Sequence, residues 1–188
     1  MNTKYIVYQL LRPFAYLKVS HPSKKTYDWW IPLCLTVLTT LVLYFWGEHS
    51  EVYSGKENLI VSLVSFIANL PGFYIAALAA VATFNRSDMD LRLPSPTPEI
   101  KTLIRGNDQT IKLTRRRYLC LLFAFLTGES ICLVVFTKFA GVVVLNNNVE
   151  FWSWFGVFAF FLFFWQLMTA TLYGLFYMGD KMHEPPVN

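Results

Sequence analysis

Glu129 is the residue whose type and place invite chemistry. It stands in the run TRRRYLCLLFAFLTGES, residues 114–130, past three consecutive arginines (Arg115, Arg116 and Arg117), and apolar sequence resumes on its far side. A carboxyl inside an apolar run can relay a proton or ion, or it can fix helix register as a protonated or hydrogen-bonded group contributing about 0.6 to 2 kcal/mol per contact. A relay needs a chain of exchangeable groups, and the apolar runs hold one carboxylate, so a register or gating role fits better. His21, His49 and His183 lie outside those runs. Cys34, Cys120 and Cys132 lie inside them without metal-ligand spacing, as small core or lipid-facing residues. No nucleophile is paired with a base, so neither a catalytic residue nor a metal or cofactor is expected, and an enzyme is the least supported class.

The elements that must position Glu129 are apolar helices. Of 188 residues, 55% are hydrophobic, 18% aromatic and 15% charged, against about 25% charged in a typical soluble domain. The expectation is an all-α integral membrane protein in one domain, a four-transmembrane-helix bundle with an N-terminal interfacial segment. A bilayer core takes about 20 apolar residues to cross, and 29–46, 59–84, 118–145 and 151–178 qualify. Trp29 and Trp46 bracket the first, with Pro32 in its first turn, where a missing N–H is tolerated. Of the 16 lysines and arginines, fourteen fall in 1–28, the loop 85–117 and the tail 179–188; Lys56 and Lys138 fall in the other two connections. This asymmetry places both termini and the long loop in the cytoplasm.

Helix rise sets depth. Glu129 lies about 17 Å from Tyr118, Gln166 about 18 Å from Met178 and Asn69 about 22 Å from Phe84. These three are expected to form one intramembrane polar layer, with Thr127, Ser130 and Thr169 close in depth; Lys138 lies about 13 Å further out. Ala68, Gly72, Ala76 and Ala80 recur every four residues in the second span, a smooth stripe for packing within the chain, for self-association or for both. Pro71 is expected to kink that span. The fourth span, with Phe and Trp on every side, suits a lipid-facing or subunit-facing helix.

Residues 1–28 read as an interfacial helix with Tyr5, Ile6, Leu10, Phe14 and Leu17 against lipid or the bundle. The alternative is an irregular basic leader broken at Pro13. In 85–117, PSPTP favours extended backbone, EIKTLIR one short helix and GND a turn. Arg105, Lys112, Arg115, Arg116 and Arg117 make this loop basic, for lipid headgroups or for docking a cytoplasmic protein; direct nucleic-acid binding has no accompanying motif.

The size, the four spans, the small-residue second span ending PGFYIAALAAVATFN and the entry LTRRRYLCLLFAFL to the third resemble the small membrane proteins of bacterial anti-phage islands, among them the KwaA family of Kiwa defence systems. The likeness covers essentially the whole chain and includes no catalytic signature. It implies a bacterial inner-membrane protein, a homotetramer that senses phage infection at the envelope and works with a cytoplasmic KwaB-like DNA-binding partner through the 85–117 loop and termini. A small channel or pore-forming effector lined by the Glu129 layer is the other reading.

Overall fold

Four helices long and apolar enough to cross a membrane cover Thr26–Trp46, Leu59–Thr83, Arg115–Ala140 and Trp154–Gly179 in the computed structural model. It describes residues 3–20, 24–46, 58–83, 85, 87–93, 97–104, 107–146 and 150–179. In chain order the elements are α1 (Thr3–Leu10), a 3-10 segment (Arg12–Lys18), a π-helical turn (Thr26–Trp30), α2 (Ile31–Trp46), α3 (Leu59–Ile67), α4 (Leu70–Thr83), a 3-10 turn (Ser87–Asp90), β1 (Glu99–Ile104), β2 (Asn107–Lys112), α5 (Arg115–Asn146) and α6 (Glu150–Gly179).

α5 and α6 form the centre. α2 packs on α6, α6 on α5, and α4 on α5. Leu119, Leu122, Phe123 and Leu126 of α5 and Phe160, Phe161, Phe164 and Leu167 of α6 belong to one buried core. The aromatic fourth span is therefore partly a core helix, and only positions such as Phe155, Phe163 and Phe176 point outward. Small residues set its approach to α5. A Cβ placed on Gly174 would sit 3.0 Å from Leu122 Cδ2.

The second span is two helices. Asn58 caps α3 by accepting from the Val61 N–H at 2.8 Å, satisfying one donor of the first turn. α3 stops at Ile67 and α4 begins at Leu70. Pro71 has no N–H to offer the Ile67 carbonyl, and its ring crowds that turn, so the expected kink is a break at Ala68 and Asn69. The side of α4 that packs on α5 carries Tyr74, Ala77, Leu78 and Val81. Ala68, Gly72 and Ala76 are exposed and Ala80 half-buried; a Cβ on Gly72 would meet nothing within 4 Å. Among the described residues, packing within the chain thus leaves Ala68, Gly72 and Ala76 open and partly covers Ala80.

At the arginine-rich end two readings change. EIKTLIR, expected to be helical, supplies β1 instead, paired antiparallel with β2 from Glu99↔Lys112 to Ile104↔Asn107. Alternation explains it: Ile100 and Thr102 are buried while Glu99 and Lys101 are exposed, the period of a strand with one covered face. The fold is thus mostly helical rather than all-α. The first segment is neither a plain surface helix nor an irregular leader. Pro13 sits in the first turn of the 3-10 segment, where its missing N–H has no cost, and this segment lies against α5 with Ala15 and Tyr16 buried, as is Val19 just after it. Ile6, Leu10 and Leu17 stay exposed.

Candidate functional site: a buried acid beneath the N-terminal segment

Ring and methyl contacts fix the antiparallel register of α5 and α6. Tyr118 faces Tyr177 with ring centroids 5.7 Å apart, and Leu122 faces Gly174. Eleven residues on from Tyr118 is Glu129, and eleven back from Tyr177 is Gln166. The two are level, and both are buried, at 6% and 2% exposure. Glu129 Oε2 has no hydrogen-bond partner among the described residues. The neighbouring hydroxyls turn back on their own helix: Thr127 donates to the Phe123 carbonyl at 2.7 Å and Ser130 to the Thr127 carbonyl at 3.0 Å.

The third member of the expected layer has the right depth and the wrong direction. Tyr74 meets Phe123 at 6.4 Å; six residues beyond Phe123 is Glu129, and five before Tyr74 is Asn69. Asn69 is exposed, however, and its amide donates to the Ser65 carbonyl at 2.9 Å. It lies on the outer face beside Ala68 and Gly72, because the break before Pro71 turns this residue away from α5. Lys138 is exposed and does not neutralise Glu129.

A second buried acid, Asp28, stands in the π-helical turn. Asp28 is 1% exposed. Its carboxylate lies 3.1 Å from the Lys24 ammonium and accepts from the Tyr16 hydroxyl at 3.2 Å. Lys24 also sits over the Tyr16 ring, 4.3 Å from its centre, adding a cation–π contact. Burial, and then the charge of Asp28, push the Tyr16 phenol far above its ordinary value, so it remains a donor. Further along the same cluster Tyr27 stacks on Tyr173 at 4.2 Å, and Thr169 donates to the Tyr27 carbonyl at 3.1 Å. Sequence reading placed residues up to 28 outside the spans and passed over Asp28. The signal was the i, i+4 spacing of Lys24 and Asp28 just ahead of an apolar run.

The basic residues divide by role. Arg115 is 5% exposed, and its backbone N–H bonds the Leu91 carbonyl at 3.0 Å. Arg116 donates through Nε and Nη2 to the two carboxylate oxygens of Asp90, and through Nη1 to the carbonyls of Val81 and Ala82. The Arg116 side chain is thus engaged within the chain, and Arg115 is buried beside it. Arg117 is half-buried, Lys112 is exposed, and Arg105 lies outside the described residues. Among the described residues no group of three or more His, Cys, Asp or Glu gathers in a way that holds a metal ion. Neither family models, nor curated proteins, nor solved structures match this chain.

Proposed function

We propose that this chain is a multi-pass membrane protein, an oligomeric sensor and scaffold without catalytic activity, which engages a cytoplasmic protein at its arginine-rich end. One observation carries the reading: four long apolar helices turn large side chains outward, among them Leu38, Phe45, Phe66, Phe136, Phe139 and Leu172, all at least half exposed. Such a surface is stable in lipid and a liability in water. The hairpin and N-terminal segment sit at the end that the basic residues assign to the cytoplasm.

On this reading the docking surface is the outward face of the hairpin, with Glu99, Lys101 and Lys112 exposed. The stripe Ala68, Gly72 and Ala76 with Asn69 beside it serves self-association, since small residues admit close backbone approach and an amide in lipid gains from a partner. The likeness to Kiwa-type membrane components supplies the setting: a bacterial inner membrane, phage defence, a homotetramer and a KwaB-like partner. Cross-linking and mass spectrometry from cells test it. Cross-links from Lys101 and Lys112 to one cytoplasmic protein are expected; links to lipid alone would count against docking.

The unpartnered Glu129 oxygen favours one second reading, a small channel or pore gated at the Glu129 level. Ion flux in liposomes separates the two. Conductance abolished by Glu129→Gln would replace the scaffold with the channel.

A further inference from the structure

The N-terminal segment touches three parts of the molecule. Toward the interior, the Phe14 ring packs edge-on to Phe125, with centroids 6.2 Å apart, and its Cζ lies 3.3 Å from where a Gly128 Cβ would be. Tyr16 stacks on Phe125 at 5.1 Å and lies beside Tyr118 at 6.0 Å. Phe125, Gly128 and Glu129 follow at i, i+3 and i+4, one stripe of a helix, so Phe14 covers the side of α5 next to the acid. Toward α2, Tyr16 and Lys24 hold Asp28. Toward the hairpin, Arg12 donates to Thr102 Oγ1 at 3.2 Å and Ser20 pairs with Glu99 as an antiparallel bridge.

We propose that residues 12–20 are a lid over Glu129, hinged to the hairpin, and that displacing the hairpin lifts Phe14 from Gly128 and admits water to the acid. Gly128 is the seat of this lid, since a methyl there would press on the Phe14 ring and a larger side chain would displace it. The anchors differ in strength along the segment. Phe14 and Tyr16 are held by packing, whereas Arg12 is held to the hairpin by one half-buried hydrogen bond, the kind of contact that opens locally before the core does. The lid deepens the proposed function, because it gives the hairpin's partner a route to the membrane interior, and it rests on that reading for its membrane setting only.

The test is the rate at which a water-soluble carbodiimide with glycine ethyl ester modifies Glu129, read by mass spectrometry on the full chain in lipid nanodiscs. Wild-type protein should react slowly relative to the exposed Glu99. Phe14→Ala should raise the Glu129 rate by roughly tenfold or more, and Arg12→Gln by less, with Phe14→Leu near wild type. An engineered disulfide between Ser20→Cys and Glu99→Cys should return the Arg12→Gln protein to the wild-type absolute rate at Glu129, the Glu99 reference being absent from this variant, which keeps the test open if Phe14→Ala does not fold. A wild-type Glu129 as reactive as Glu99 would overturn the lid, as would Arg12→Gln releasing the hairpin in hydrogen exchange with no change at Glu129. Failure of the membrane reading shows separately, as release of the protein from membranes by alkaline wash.

Discussion

Arg116 and Asp90 are joined by two parallel hydrogen bonds, at 2.9 and 3.1 Å, across 26 residues of chain. The same guanidinium donates to the Val81 and Ala82 carbonyls at 3.0 and 3.2 Å, which are among those left without intrahelical partners at a helix C-terminus. One side chain therefore ties the end of α4, the turn after it and the start of α5. Lysine cannot reproduce this, since it offers a point charge without the planar fork. In Arg116→Lys, hydrogen exchange should quicken at 79–83 and 87–93 while the α5–α6 core keeps its protection.

The same pair predicts a pH dependence. Hydrogen bonds from Arg116, and then its charge, hold the Asp90 carboxyl below its ordinary value. A carboxyl depressed on folding contributes stability that is complete above its unfolded value of about 4 and is lost as pH falls through the lower folded value. Exchange at 87–93, normalised to the intrinsic amide rate at each pH, should thus be flat from pH 7 to about 5 and rise below about 4. Asp90→Asn should remove that rise. A rise of equal size in Asp90→Asn would assign the effect to another group.

Ile100 tests the hairpin independently. It is 1% exposed and stands opposite Ile111 in the ladder. Removing a buried isoleucine side chain to alanine costs about 2 to 5 kcal/mol, more than a two-stranded sheet can lose and stay formed. Ile100→Ala should abolish protection across 99–112 and leave helical circular dichroism nearly unchanged. Thr110→Ala, on the exposed face, should do neither.

How far these features could be read in advance depended on what each one was made of. The four long helices were legible because apolar length is a property of the segment alone. The levels of Glu129, Gln166 and Asn69 were legible too, because rise per residue is constant along a helix. Direction was not: Asn69 turns outward at a break whose rotation depends on how α3 and α4 each pack. EIKTLIR was misread because its two turns' worth of residues fit either period, and only its pairing with NDQTIK decides between them. Arg115, Arg116 and Asp28 were hidden for a related reason. Their partners, Leu91, Asp90 and Tyr16, lie across turns that sequence spacing does not reveal.

Gly174 predicts how tightly the central pair is fitted. An added Cβ would lie 3.0 Å from Leu122 Cδ2 and 3.8 Å from the Phe123 ring, and both neighbours are fully buried. A methyl demands a small shift of the Leu122 side chain, so Gly174→Ala should cost little. Gly174→Leu forces α5 and α6 apart, at about 1 to 3 kcal/mol. Because the Glu129 level lies two turns further along this same contact, it should also raise carbodiimide reactivity at Glu129, which Gly72→Leu, facing open space, should not.

The bond between Tyr74 and Thr171, 2.6 Å long, joins α4 to α6 past α5. Its polarity follows from the next contact. Thr171 Oγ1 lies 2.6 Å from the Leu167 carbonyl, which can only accept, so the threonine proton is spent there and the Tyr74 hydroxyl is the donor to Thr171. Tyr74→Phe removes that donor and keeps the buried ring against Phe123, and Thr171→Val removes the acceptor. Interhelical hydrogen bonds in membrane proteins are worth about 0.6 to 1.7 kcal/mol, so each single substitution should cost about that much in a reversible unfolding assay. The double substitution should cost little more than either alone, the signature of one shared bond. Additive losses would show instead that the two hydroxyls act separately, and that α4 is held to the core by packing and by Arg116.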